Sequence, residues 1–96
     1  MNEVKLSPSE EKAFKTLLKE HQLPENQLIV YNNDVNTFEH VIVCLVNYCK
    51  HNPMQAEQCA LIIHHKGKCA VKGGSYDDLK PICEALLESQ ISATIE

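Results

Sequence analysis

Apolar positions along this chain change their period several times, and each change marks an element. Between residues 7 and 21, Ala13, Phe14, Leu17 and Leu18 share one face at helical spacing. Ser7 can cap this segment, Pro8 fits the first helical position, and Glu10 stands where a capping box places its acid. The predicted helix runs to about His21 and stops at Leu23-Pro24. Its apolar stripe is thin and the polar run PENQ follows. Residues 1–26 therefore read as an N-terminal extension, partly helical or mobile, ahead of a core domain over residues 27–96.

The core begins with QLIVYN, residues 27–32, a compact apolar run of strand formers. A polar stretch interrupts it. Asn36 then reads as an N-cap with Glu39 at the third position, opening a helix that carries Phe38, Val41, Ile42, Leu45, Tyr48 and Cys49 and stops near Lys50. A second core helix starts at Asn52-Pro53, with Gln55 closing its box and Ala56, Cys59, Ala60 and Ile63 on one face. Gly67 is suited to end it in a left-handed conformation. KCAV is the next strand, closed by Gly73-Gly74. Ser75 caps a third helix, where Asp77 and Asp78 favour the positive end and Leu79, Ile82, Cys83, Leu86 and Leu87 face inward. ISATIE is the last strand. The predicted order is β-α-α-β-α-β, an α+β domain with three helices packed on a small three-stranded antiparallel sheet.

Charge and composition narrow the function. With 96 residues and 44% hydrophobic content, the chain makes one domain with a modest core. Its net charge is −4, it has nine lysines and no arginine, and aromatics are few. That argues against nucleic-acid binding, which needs a basic face. No apolar run nears the roughly 20 residues that cross a bilayer. The N-terminus lacks the pattern of a secretory signal, so a cytoplasmic protein is expected. The five cysteines are odd in number and form no CxxC, which fits reduced thiols packed as small hydrophobes.

Three groups of residues can carry chemistry. The loop from Asn32 to Thr37 holds three asparagines and an aspartate, more acceptors than a strand-to-helix turn requires. Its plain reading is still a turn. His64 and His65 lie near the end of a helix and point about 100° apart, so both cannot face one site: one is expected to face solvent, and His64, four residues after Ala60, to continue the buried stripe. The plain reading of such a histidine is a cation at a helix C-terminus. Cys59, His64 or His65, and Cys69 lack the tight ligand pairs of a structural zinc site, so no metal or other cofactor is expected. No local signature supplies a base for a nucleophilic cysteine, so no catalytic residue is assigned.

Three further stretches of the sequence bear a family likeness. YNNDVNTFEHVI, QAEQCALIIHHKGK and the terminal TIE match in order, without a gap from Asn32 through Lys68. Over Leu28 to Glu96 the chain resembles the ClpS family, adaptors that deliver N-degron substrates to bacterial Clp AAA+ proteases. The resemblance implies a protease adaptor and not an enzyme. It implies binding of proteins that begin with a bulky hydrophobic residue, and docking on the N-terminal domain of a ClpA-type or ClpC-type ATPase. Residues 1–26 correspond to the family's variable extension, which assists handover.

Carried over by motif, the amino-group site comprises Asn32, Asp34 and His64. An α-ammonium carries three N–H donors and a full charge, and it needs acceptors if water is excluded. The hydrophobic pocket comprises Phe38, Val41, Ala60 and Ile63, with Asn36 and Ser92 near the rim. Asn33 stands where many members have aspartate, and Phe38 and Ala60 stand where many have methionine. The competing expectation is a small α+β scaffold or assembly domain without a ligand pocket, in which those apolar residues are plain core.

Overall fold

The computed structural model describes residues 5–20 and 25–96, with backbone alone for 17–20. Helix α1 spans Pro8–Glu20. Its capping box is formed: the Glu10 N–H donates to Ser7 Oγ and the Ser7 N–H donates to Glu10 Oε1, both at 3.3 Å. Donation to the Glu10 carboxylate from the Ser7 hydroxyl, and then from the Ser7 N–H, favours the ionised acid and holds the carboxyl below its ordinary pKa. Every described side chain of α1 is exposed, Phe14 included. The expected stripe residues Leu17 and Leu18, and the Leu23-Pro24 stop, fall outside the described side chains and residues respectively.

The core follows the expected order: β1 (Asn26–Tyr31), α2 (Phe38–Tyr48), α3 (Pro53–Lys66), β2 (Lys68–Gly74), α4 (Tyr76–Glu88) and β3 (Ser92–Ile95). The three strands form one antiparallel sheet in the order β2-β1-β3. The first core strand is therefore central, which explains why its Leu28, Ile29 and Val30 form a continuous buried run. Leu45 of α2, Ile63 of α3, and Leu79 and Leu86 of α4 complete the interior with Ile91. Burial of each such side chain contributes roughly 1.5–3 kcal/mol, which is how a short sheet holds three helices.

Two local features differ from expectation. Strand β2 runs past Val71 to include both glycines. Its register against β1 slips between Leu28 and Ile29: Leu28 faces Lys72 while Ile29 faces Ala70. Val71 is thus the extra residue of a β-bulge. Helix α2 begins one residue late. Its N-cap is Thr37, whose hydroxyl accepts from the His40 N–H at 3.1 Å, and Asn36 is left for another task. The other two predicted caps form: Asn52 accepts from the Gln55 N–H, and Ser75 accepts from the Asp78 N–H.

Candidate functional site

The polar loop is fixed at both ends by bonds to distant parts of the chain. At its start, the Asn32 N–H donates to the Gly67 carbonyl at 2.8 Å. Gly67 ends α3 with φ +92°, and its own N–H returns to the Ile63 carbonyl. A left-handed residue at this point turns the chain into β2 directly beside β1. The last turn of α3 is thereby brought to the beginning of the loop, and Asn32 is brought to His64.

The far end of the loop is held by Asn33. Its side-chain oxygen accepts from the Val35 N–H (3.1 Å), the Asn36 N–H (3.2 Å) and the Asn36 side-chain amide (2.9 Å). Its own amide donates to Ser92 Oγ at 3.0 Å and to the Gln90 carbonyl at 3.3 Å. Asn36 joins the same carbonyl at 2.8 Å. Gln90 lies in the turn between α4 and β3 with φ +68°, so its carbonyl is not spent on regular structure. Both N–H bonds of the Asn36 amide are committed, and its side-chain oxygen is left as a free acceptor.

Between these anchors lies a cavity of about 160 Å³. Its apolar wall is Phe38 and Val41 from α2 with Ala60 and Ile63 from α3. Its polar wall is Asn32, Asn36, Thr37 and His64. Residues spaced three and four apart on each helix meet on one side, as helical geometry requires. Ala60 and Ile63 are buried, while Phe38 and Val41 are half-buried. The arrangement joins a short apolar recess to a set of acceptors on one rim.

Asp34 and Ser92 are not among the residues that line the cavity. Asp34 is an exposed turn residue, two positions from Asn32 and two from Asn36. Ser92 pairs with Tyr31 across the sheet, and its hydroxyl receives Asn33. Neither histidine continues the buried stripe of α3. His64 and His65 are both exposed, with rings 5.2 Å apart and nearly perpendicular, and His64 alone lines the cavity. The sequence reading missed Thr37 as a wall residue and Asn33 as the organiser of the loop. Thr37 was detectable as a second possible cap, but the residues to which the Asn33 amide donates, Gln90 and Ser92, lie some sixty residues away.

All five cysteines are free. Burial pushes the Cys49 and Cys59 thiols up to about 11, and it raises Cys44 and Cys83 as well. Those groups are neutral thiols at physiological pH and poor nucleophiles. Among the described residues, no cluster of three or more histidine, cysteine or acidic side chains could hold a metal ion. Among them also, no helix is long and apolar enough to cross a membrane.

A sheet with helices α2 and α3 framing an apolar recess, beside an asparagine-rich loop, makes a small α+β domain with a candidate ligand site. The family model for the ATP-dependent Clp protease adaptor protein ClpS matches residues 21–94, and the chain belongs to that family. Its fold is similar to that of Agrobacterium tumefaciens ClpS2, solved bound to L-phenylalaninamide. The TM-score is 0.69 at 18% sequence identity, over 74% of this chain and 93% of that chain. No curated protein matches the chain.

Proposed function

We propose that the protein binds the free amino terminus of polypeptides beginning with a bulky hydrophobic residue, and presents them to a Clp ATPase for degradation. The observation that carries this reading is the shared lining: Asn32 and His64 border the same cavity as Phe38, Val41, Ala60 and Ile63. One end of the recess offers acceptors and the other offers apolar surface. A terminal residue has the same polarity, an ammonium next to a hydrophobic side chain. The likeness to a protein bound to L-phenylalaninamide, a free amine with an aromatic side chain, supports the same assignment.

In this reading Asn32 Oδ1 and one nitrogen of neutral His64 accept from the ammonium. The free oxygen of Asn36 accepts a third N–H, from the ammonium or from the next peptide unit. Asp34 acts from the adjacent turn as a nearby negative charge, a longer-range role than a wall residue has. Ser92 acts through Asn33, by holding the loop. The side chain of the terminal residue enters between Phe38 and Ala60. The core docks on the N-terminal domain of a ClpA-type or ClpC-type ATPase, and residues 1–26 form an extension that assists handover. Unfolding and peptide cleavage belong to those partners.

Titration with peptides that differ only in the first residue tests the pocket. Ala60→Met adds volume to a small recess, and overpacking costs ~1–3 kcal/mol. Trp-initiated peptides should lose more affinity than Leu-initiated ones, measured by fluorescence anisotropy. Equal losses would remove Ala60 from the pocket. The scaffold alternative expects no dependence on the first residue at all.

A further inference from the structure

The turn between α4 and β3 is strained, and side chains from the loop and from α2 hold it. Gln90 stands in this turn with φ +68°, a left-handed conformation that is uncommon outside glycine and persists only where its surroundings enforce it. The N–H groups of the turn return to α4: Ser89 N–H to the Ala85 carbonyl, Gln90 N–H to the Leu87 carbonyl and Ile91 N–H to the Leu86 carbonyl. Its two successive carbonyls do not. The Gln90 carbonyl accepts from the side-chain amides of Asn33 and Asn36, and the Ser89 carbonyl accepts from the His40 ring at 2.9 Å.

His40 is half-buried on α2 and does not line the cavity. A carbonyl can only accept, so the Nε2 that meets Ser89 carries a proton, and the buried Cys44 sulfur, one helical turn on, lies 3.6 Å from the same nitrogen. The Ser89 hydroxyl in turn donates to the Tyr48 hydroxyl at 3.3 Å, so α2 holds Ser89 at two points. The backbone of His40 serves the site as well: its N–H donates to the hydroxyl of Thr37, a wall residue. His40 thus joins two walls of the recess, Thr37 through its backbone and Asn36 through the turn. Nε2 keeps its proton whether the ring is neutral or charged, so the bond to Ser89 sets geometry and does not sense pH.

We propose that His40 is a positioning residue of the N-degron site. Its ring holds the Ser89-Gln90 turn so that the Gln90 carbonyl meets the Asn36 amide, which keeps the Asn36 side-chain oxygen free for the incoming ammonium or peptide unit. The inference rests on the binding reading above and adds to it a residue that never touches the ligand. Without the ring, the Ser89 carbonyl loses its donor and the left-handed Gln90 loses a restraint. The Gln90 carbonyl then turns toward water, and the Asn36 amide is released with it. Linkage requires the converse: a ligand held by Asn36 is felt at His40.

The test compares the full wild-type chain with His40→Phe and His40→Gln, by NMR and by titration with a Leu-initiated peptide that has a free α-amino group, each protein held below its melting transition. Phenylalanine keeps the bulk of the ring and removes the donor. Glutamine carries an N–H as many bonds from Cα as Nε2 of the ring and restores it. His40→Phe should weaken peptide binding about two- to tenfold, the worth of one neutral hydrogen bond. It should also move the Asn36 side-chain amide signals toward those of a free amide. His40→Gln should recover both. In the wild type, the His40 Nε2–H signal should shift on saturation with the peptide, although His40 lies outside the cavity. A purely structural role would lower Tm and leave the affinity and the Asn36 signals of folded His40→Phe in place, and that result would overturn the proposal. So would a folded His40→Gln that recovers neither. If His40→Phe does not fold, the wild-type signal decides, and its failure to shift on saturation overturns the proposal. A wild type that binds no free-amine peptide contradicts the adaptor reading instead, and the Asn36 signals of the variants still decide what His40 holds.

Discussion

Replacing His64 with alanine should weaken binding of a Leu- or Phe-initiated peptide by about 1.5–3 kcal/mol, the worth of a hydrogen bond to a charged group. That corresponds to roughly 10- to 150-fold in Kd. The same substitution should abolish the pH dependence. In the proposed site, binding needs a lone pair on His64, and a protonated ring has none to give. Its positive charge also repels the ammonium. Binding and proton release are therefore coupled: affinity is flat above neutrality and falls as pH drops through the range where histidines titrate, with a limiting slope of about tenfold per pH unit. His65→Ala serves as a control, because His65 lies beside His64 without lining the cavity. It should leave the slope intact. Isothermal titration between pH 5 and 8 reads all three proteins, and a wild-type affinity constant over that range would exclude His64 as an acceptor.

Asn33→Ala should cost about 2 kcal/mol of stability and a further loss of affinity, although Asn33 does not line the cavity. Its oxygen serves three donors and its amide serves two acceptors. Each hydrogen bond contributes about 0.5–1.5 kcal/mol net, and the total is discounted because the loop is partly exposed and water replaces several of them. For a domain of this size the change lowers Tm by roughly 10 °C. Binding suffers because Asn36 loses the acceptor that orients its amide, and its free oxygen is no longer aimed. Asn33→Asp keeps the acceptor but loses both donors, and it places negative charge against the Gln90 carbonyl. It should destabilise the loop in this chain. Thermal melts followed by circular dichroism separate the variants. An Asn33→Ala protein with wild-type Tm and wild-type affinity would show that the network does not organise the site.

The elements whose signals are local were legible in the sequence. Asn52, Ser75 and Gly67 carry their caps within three or four residues, and each cap is found where its residue type points. The apolar run of Leu28 to Val30 marked a strand by composition alone, whereas its central place in the sheet appears only in the structure. The start of α2 was misplaced by one residue because Asn36 and Thr37 are both good caps. Glu39 favoured the first by completing a box. The choice fell to Thr37 for a tertiary reason: the amide of Asn36 is drawn to Asn33 and to the Gln90 carbonyl. No periodicity reports a partner 54 residues away. The bulge at Val71 and the bond that its carbonyl accepts from His51 were hidden for the same reason. The walls of the cavity were accessible through the family motif, whereas the reading of Phe38, Val41, Ala60 and Ile63 from spacing alone was core.

A free amino terminus is the feature that distinguishes an N-degron adaptor from every other reading of this fold. Two peptides of identical sequence beginning with leucine, one with a free α-amino group and one N-acetylated, should therefore be titrated at pH 7.5. The free peptide should bind saturably through the cavity, moving the NMR signals of Asn32 and His64. Acetylation removes the charge and two of the three donors, and leaves the desolvated acceptors unpaired. A loss of at least ~100-fold is expected, from about 3 kcal/mol of charged hydrogen bonding. Equal affinity for the two peptides, or no binding of either, would contradict N-degron recognition by this chain.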